Sequence, residues 1–504
     1  MGILLGFSNR YAVERFKTKI WGKMRTLKIL LLTLFAVSLS LSQDYDLLPP
    51  SFFKANREEL MKQIGNEAIA IFYSNSLKTR SNDVEYRFKQ DNNFFYLTGL
   101  EEPDAVLVLV PVGFAPSVLK LATRATGKYY DVTLDTIKSD FKIREVLFLK
   151  ERDSLREVWT GRTLGTKGAM EKLGIQLALP IEEFKNVIRS IIFSSRAKTI
   201  YFPYPAGCFE GTLKDIIEVL ESIVSSQRGR LQFADPSFIL AKMRMVKKPE
   251  EIKLIQKAVD ITVKAHRQVM MSCEPGMYEY EIQAIAEYVF TKLGAEYPAF
   301  PSIIASGENS VILHYSSNRK KIGDGDLIVV DIGAEYHNYC ADVTRTIPAS
   351  GRFTPEQREV YEIVLKAQEE TIKLVRPGVS FIDLQLKATE IIAEGLLKLG
   401  IIKDKNEARK YFMHGVTHHL GLDVHDVGVP GNLEPGMVIT IEPGIYIPAG
   451  ADCDPRYWNI GVRIEDDILV TKDGYAVLSS GAPKTIDEIE RLMKRRGIGN
   501  EPID

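Results

Sequence analysis

The stretch Leu327-Ile328-Val329-Val330-Asp331-Ile332-Gly333-Ala334-Glu335-Tyr336-His337-Asn338-Tyr339-Cys340-Ala341-Asp342-Val343-Thr344-Arg345-Thr346-Ile347 leaves a folding chain few choices. β-branched and apolar residues flank a polar centre, which predicts two strands joined by a tight turn at His337-Asn338. Asp331 and Asp342 lie at nearly equal distances from that turn. A two-residue loop puts them on one face, directly opposite or one diagonal step apart, ~5–8 Å from each other. Two carboxylates on an apolar hairpin repel each other, and loss of water adds to the cost. A cation between them would remove both penalties. The alternative is one exposed Asp per strand, and the rest of the chain has to decide.

Composition does not compete with that reading. The 504 residues suffice for more than one domain with sizeable cores. With 45% hydrophobic and 26% charged residues, the chain reads as an ordinary soluble globular protein. Its 65 basic and 66 acidic side chains nearly cancel, so no global field points to nucleic acid or an acidic membrane surface. Cys208, Cys273, Cys340 and Cys453 are scattered without CxxC spacing, which argues against a zinc ribbon or a disulfide scaffold. One or two disulfides stay open for an exported chain, and free thiols are expected. Cys340 reads as a small buried residue rather than a ligand, because Asp342 holds the facing position. His314, His414, His418, His419 and His425 all fall within about a quarter of the chain.

Lys23, Arg25 and Lys28 precede an apolar run over 29–37, followed by Ser38-Leu39-Ser40-Leu41-Ser42-Gln43. This pattern predicts a secretory signal peptide over 1–42, with Met24 as an alternative start. The run is shorter than the ~20 residues of a membrane helix. A secreted or periplasmic product without a stable membrane span is therefore expected, an uncleaved anchor being the alternative. Residues 49–236 alternate helical stretches with apolar runs such as Ala68-Ile69-Ala70-Ile71-Phe72-Tyr73 and Ala105-Val106-Leu107-Val108-Leu109-Val110. They predict an α/β domain with a mixed sheet. It has no histidine and no glycine-rich phosphate loop, hence no chemistry of its own.

Ala234-Asp235-Pro236 and the basic run Lys242-Met243-Arg244-Met245-Val246-Lys247-Lys248-Pro249 mark a boundary. A second domain is expected over 245–482, with a charged helical tail at 483–504. Pro249-Glu250-Glu251 opens a long helix with Ile252, Ile255, Val259 and Val263 as its apolar stripe, and another follows Pro275-Gly276. Past the hairpin the pattern recurs from Thr354-Pro355-Glu356 and from Arg376-Pro377-Gly378. Two helices then strands, twice over, predict an internal duplication with pseudo-twofold symmetry.

Four further pieces join the aspartates: His414-Gly415-Val416-Thr417-His418-His419-Leu420-Gly421-Leu422-Asp423-Val424-His425-Asp426, Glu442 before Pro443-Gly444, Glu465 in Gly461-Val462-Arg463-Ile464-Glu465-Asp466, and His314 in Ile312-Leu313-His314-Tyr315. Taken singly, each histidine reads as a bonded core residue and each Glu as a solvated strand end. His414 and His418 are four apart, but Gly415 and Gly421 weaken a helix and no Glu follows His414, so this is not the HExxH of zinc proteases. Together, Asp331, Asp342, Glu442 and Glu465 are acids set in apolar strands, costly unless compensated. Their four negative charges match two divalent cations. Four carboxylates and one histidine make a hard ligand set that suits manganese better than a thiol-rich zinc site. Two carboxylates bridging two ions ~3.5–4 Å apart would form a dinuclear hydrolytic centre that turns water into hydroxide. Arg463, two residues before Glu465 and expected on the same strand face, can orient a ligand carboxylate from behind.

These residues resemble those of the pita-bread metallopeptidases of family M24 over about residues 245–480. Over the mature chain the sequence is similar to the Xaa-Pro aminopeptidase (aminopeptidase P) group. The resemblance rests on Asp331-Ile332-Gly333, Asp342-Val343-Thr344-Arg345-Thr346, His414-Gly415 with His418, Glu442-Pro443-Gly444 and Arg463-Ile464-Glu465-Asp466. In the N-terminal part it rests on Asp91-Asn92-Asn93-Phe94-Phe95-Tyr96-Leu97-Thr98-Gly99-Leu100 with Glu102-Pro103. It implies a C-terminal pita-bread fold with a pseudo-twofold repeat, preceded by a creatinase/prolidase-type α/β domain. Asp331, Asp342 and Glu465 would then hold one metal. Asp342, His418, Glu442 and Glu465 would hold the other. Glu442 would also be general base, His314 and His425 would stabilise the tetrahedral intermediate, and His414 would wall the pocket for a proline ring. His419 is given no role. The implied activity is release of the N-terminal residue from peptides with proline second, by a homo-oligomeric enzyme (dimer or tetramer). A dipeptide-restricted prolidase and a non-catalytic peptide-binding relative are the alternatives. Creatinase-like relatives lack the ligands that are all present here.

Overall fold

The computed structural model of the protein describes residues 47–119, 141–204, 211–227 and 229–501. The expected signal peptide, Met24 and Cys208 lie outside the described residues. Among those described, no helix is long and apolar enough to cross a membrane.

The two apolar runs of the N-terminal part become the central strands Ala68–Tyr73 and Val106–Phe114 of a six-stranded sheet. Its order is Leu177–Pro180, Ile143–Leu149, Val106–Phe114, Ala68–Tyr73, Thr199–Tyr201, Gln232–Ala234. The three strands from Ile143–Leu149 to Ala68–Tyr73 pair antiparallel, while the outer pairings are parallel, which makes the sheet mixed as expected. Ile69, Ile71, Val106, Val108 and Phe148 are fully buried against Ile188 and Leu220 of the helices Phe184–Ser195 and Gly211–Ser226. Continuous apolar strands are what a sheet covered on both faces requires.

The helix Ser237–Met245 leads into the 24-residue helix Pro249–Ser272. Pro249 occupies the first turn, and the Glu251 carboxylate accepts from the Lys248 backbone N–H at 2.9 Å. The buried face differs from the stripe expected. Ile252 and Val263 are only half-buried, whereas Leu254, Ile255, Ala258, Val259, Ile261, Ala265 and Val269 are buried. The cause is a second partner: the helix packs both on Glu279–Lys292 and on the hairpin. Its buried polar residues bind the hairpin along its length. Glu251 accepts from Tyr339 Oη at 2.9 Å, Thr262 Oγ1 from Ala334 N–H at 2.9 Å, and His266 Nε2 donates to Val343 O at 2.8 Å.

The hairpin turns at His337 and Asn338, both left-handed at φ 47° and 69°, which is the two-residue turn that suits the twist of paired strands. One register runs through it: Tyr336 pairs with Tyr339, Glu335 with Cys340, Ile332 with Val343, and Asp331 with Thr344. Asp342 is therefore the diagonal neighbour of Asp331. The ladder breaks at Gly333, where a β-carbon would lie 1.8 Å from Ala341 O. Leu327–Ile332 and Val343–Pro348 join one sheet beyond that break, while Ala334–Tyr336 and Tyr339–Cys340 join another.

The second pair of helices, Pro355–Ile372 and Phe381–Lys398, is capped by Thr354 with Gln357 and by Ser380 with Asp383. Strands Val438–Ile441, Gly444–Ile447, Ile460–Arg463 and Asp466–Val470 follow, so the helix-helix-strand order occurs twice. After residue 482 the chain forms a seven-residue helix, Ile486–Leu492, with Ile486, Ile489 and Leu492 buried. That segment is stitched to the core, since the Pro483 carbonyl accepts from Arg345 and Lys484 donates to Asp466 at 2.8 Å.

Candidate metal centre

Of the four acids, only Asp331 lies inside a strand. Asp342 precedes Val343–Pro348, Glu442 follows Val438–Ile441, and Glu465 separates Ile460–Arg463 from Asp466–Val470. The expectation of four acids within apolar strands is corrected accordingly. The reason is geometric: where strands change partners, a backbone N–H can be satisfied from outside the ladder while the side chain turns inward. The N–H of Asp342 donates to Asp467 Oδ2 at 3.1 Å, that of Glu442 to Val416 O at 2.9 Å, and that of Glu465 to Thr344 O at 3.0 Å.

All nine candidate residues, His314, Asp331, Asp342, His414, His418, His425, Glu442, Arg463 and Glu465, line one cleft of about 640 Å³. Donor atoms of Asp342, His418 and Glu465 lie within 4.8 Å of one another. His418 Nε2 is 3.6 Å from Asp342 Oδ2 and 3.4 Å from Glu442 Oε1. Burial pushes the His418 imidazole down to about 4, so the ring is neutral at physiological pH. Its Nδ1–H is spent on the His419 carbonyl at 3.0 Å. With both carboxylates ionised, the Nε2 lone pair faces them acceptor against acceptor.

The carboxylates are equally uncomfortable by themselves. Burial and then the neighbouring acids hold Asp342 and Glu442 well above the ordinary carboxylate range. Glu465 is pushed up to about 8 by burial and then by Asp331. Among the described residues, the buried Asp331 Oδ1 has no hydrogen-bond partner. A divalent cation would relieve the lone-pair conflict, the repulsion and the orphaned oxygen together, and the oxygen-rich donors suit a hard ion. The residues fit a divalent metal ion.

Comparisons with known proteins give the family of the chain. Residues 253–472 match the model of metallopeptidase family M24, and residues 53–201 match the aminopeptidase P N-terminal domain. The Xaa-Pro aminopeptidase of Escherichia coli K12 is 37% identical over 88% of this chain and 97% of its own length. The human Xaa-Pro aminopeptidase 3 is 33% identical over 91% and 87%. Among solved structures, E. coli aminopeptidase P with the inhibitor Pro-Leu superposes with a TM-score of 0.79 at 37% identity, covering 89% of this chain and 98% of that one. A zinc-substituted form of that enzyme, in complex with product, matches with a TM-score of 0.78. The chain belongs to metallopeptidase family M24.

Within this M24 site, Arg463 is wired differently from the expectation. Its strand ends at residue 463, so it shares no strand face with Glu465. The guanidinium instead donates to Asp331 Oδ2 at 2.6 Å, to Tyr446 Oη at 2.9 Å and to Thr344 Oγ1 at 3.2 Å. Tyr446 was not anticipated. It sits opposite Gly461, and Arg463 sits opposite Gly444, so the pair meets diagonally across two glycines. A β-carbon on Gly444 would come within 2.4 Å of the Tyr446 hydroxyl. Alternation of Gly444 and Tyr446 along the strand was the available signal. Thr344, which donates to Glu465 Oε2 at 2.7 Å, was also missed as a partner.

The remaining histidines of the M24 cleft divide by depth. His414 Nδ1 donates to Gly415 O at 2.9 Å, and its Nε2 accepts from the Tyr446 hydroxyl at 2.9 Å. Burial lowers its pKa to about 4, which keeps the ring neutral. His314 and His425 are exposed at the mouth, and the His425 ring stands edge-on to His418 with centroids 4.4 Å apart. Phe300, Pro301, Ile303, Leu313 and Val424 make the apolar walls. His419 faces away and packs on Phe381. Cys340 is buried outside the cleft, and its thiol lies 3.6 Å from Leu422 O. Cys273, Cys340 and Cys453 are all free thiols.

Proposed function

We propose that this M24 metallopeptidase is an Xaa-Pro aminopeptidase, releasing the N-terminal residue of peptides whose second residue is proline. The observation that carries the reading is the cluster of Asp331, Asp342, His418, Glu442 and Glu465 on the floor of an apolar-walled cleft. Asp331, Asp342 and Glu465 would hold one divalent cation, and Asp342, His418, Glu442 and Glu465 a second, manganese being the first ion to test. When bound, such ions make water acidic enough to serve as hydroxide at neutral pH and polarise a carbonyl.

The chain's own residues do the rest. Glu442 takes a proton from the attacking water and returns it to the proline nitrogen as the peptide bond breaks. His314 and His425, at the mouth, donate to the carbonyl oxygen as negative charge develops on it. Tyr446 holds the neutral His414 ring as one wall for the proline, beside the apolar side chains. An Xaa-Pro bond lacks an amide hydrogen and has a fixed φ, so a pocket shaped for the ring is needed.

A dipeptide-restricted enzyme on the same site is the second reading. Among the described residues Arg463 is the one guanidinium lining the cleft, and its donors are committed to Asp331, Tyr446 and Thr344. It has little left for the terminal carboxylate of an Xaa-Pro dipeptide, which favours the aminopeptidase. Assay of Gly-Pro, Gly-Pro-Ala and Arg-Pro-Pro after chelation and manganese restoration tests both. Full activity after chelation, or cleavage of Gly-Pro alone, overturns the proposal. Export to the periplasm or medium is proposed from the 1–42 pattern, and N-terminal sequencing of the product tests it. Assembly as a dimer or tetramer is proposed by likeness alone, and light scattering tests it.

A further inference from the structure

The segment Asp91-Asn92-Asn93 belongs to the N-terminal part, far in sequence from the cleft. Asp91 caps the helix Asn92–Thr98 by accepting from Phe94 N–H at 2.8 Å, which presents the two asparagines outward from its first turn. Asn92 Nδ2 donates to Asp423 Oδ1 at 2.7 Å and to Leu422 O at 3.1 Å. Asn93 Oδ1 accepts from Arg244 Nη1 at 2.7 Å. The other terminal nitrogen of Arg244 donates to Asp423 Oδ2 at 2.7 Å and to Asp426 Oδ1 at 2.6 Å. Lys247 closes the set on Asp426 Oδ2 at 2.9 Å.

Asp423 and Asp426 flank His425. One buried guanidinium thus grips the chain on both sides of a histidine that is itself exposed and edge-on to His418. Space for the grip is reserved at Gly421, where a β-carbon would meet Asp426 Oδ2 at 2.2 Å. A loop end held only by its own backbone would let the His425 ring wander. An Arg244 fork supported by Asn93 removes that freedom.

We infer that Arg244, set by Asn93, is a positioning residue for His425, so that the N-terminal part acts on the peptidase reaction through residues 422–426. The inference rests on the proposed role of His425 in that reaction. Among the described residues the Arg244 Nε has no hydrogen-bond partner, so its two terminal nitrogens make the contacts of the grip.

The test compares Arg244→Met, Asn93→Ala and Asp423→Asn, each alone and combined with His425→Ala, with manganese present. The single variants should lower kcat on Arg-Pro-Pro about 10- to 100-fold, as expected for a misplaced catalytic group, while KM and bound manganese stay near wild type. In the His425→Ala background the same substitutions should change kcat less than about twofold, because a residue that acts through another has nothing left to position. Amide hydrogen exchange over 419–426 should be faster in every Arg244 or Asn93 variant, and it reads the loop without using activity. Equal losses in both backgrounds, or faster exchange with unchanged kcat, overturn the inference. Should Arg244→Met not fold, Asn93→Ala and the half-exposed Asp423→Asn decide it. A wild-type chain inactive on every Xaa-Pro peptide refutes the functional reading instead, and unchanged exchange in the variants then refutes the clamp.

Discussion

Arg463 Nη2 lies 2.6 Å from Asp331 Oδ2, and the other oxygen of Asp331 is buried with no hydrogen-bond partner among the described residues. The guanidinium therefore aims that free oxygen at the acidic cluster. Arg463→Lys keeps the charge but loses the fork that spans Asp331, Tyr446 and Thr344. Manganese affinity should fall by about 10- to 100-fold, the usual effect of removing a group that orients a ligand. Isothermal titration of the chelated protein measures it. Wild-type affinity in this variant would show that Asp331 is held by other means.

The unpaired carboxylates make a linked prediction about pH. Glu465 is raised by burial and Asp331 to about 8 in the metal-free protein, from an ordinary value of 4.5. Between those values the folded state binds more protons than the unfolded state, so unfolding free energy falls as pH rises. Above the range in which the buried histidines titrate, the metal-free protein should lose thermal stability from pH 6.5 to pH 8. Manganese, which displaces those protons, should reverse the trend and release protons on binding. Thermal midpoints at four pH values, with and without manganese, check this. A metal-free midpoint that climbs towards pH 8 would contradict it.

What was legible in the chain depended on local pattern. The turn at His337-Asn338 and the shared face of Asp331 and Asp342 follow from a period of two around a two-residue loop. The helix starts at Pro249 and Pro355 follow from proline and its capping neighbours. Tyr446 and Arg244 were not legible, because their partners lie far along the chain and neither stands out in its own segment. Arg244 sat in a basic run that read as a boundary. The buried arc of Pro249–Ser272 was misjudged for a similar reason. Its polar contacts to Tyr339, Ala334 and Val343 exist only once the hairpin is in place, and they rotate the helix away from Ile252 and Val263.

His266 gives a second pH prediction, of opposite sign. Burial and then Arg345 hold its pKa down to about 3, from 6.5. As pH falls through 6.5 the unfolded chain gains a proton that the folded chain refuses, so stability is lost progressively towards pH 3. At pH 5 the loss is about 2 kcal/mol, from 1.36 kcal/mol per pKa unit. His266→Gln can still donate to the Val343 carbonyl but cannot titrate. Urea unfolding at pH 7 and pH 5 should show a smaller difference between the two pH values for the variant than for wild type. Equal differences would mean that His266 is not the group responsible.

Gly333 is the point where the hairpin leaves one sheet for another, and its backbone passes against Ala341. A β-carbon there would sit 1.8 Å from the Ala341 carbonyl oxygen and 2.9 Å from the Phe300 ring. The first contact is with backbone, which cannot swing aside as a side-chain tip can. Ala341 immediately precedes Asp342, so relief of the clash must move that aspartate. Gly333→Ala should therefore destabilise the protein by about 3 kcal/mol, the upper part of the range for overpacking a close contact. It should also weaken manganese binding, although no ligand is altered. Chemical denaturation and metal titration on the same preparation separate the two effects. A variant that is destabilised but binds manganese normally would show that the strain dissipates before reaching Asp342.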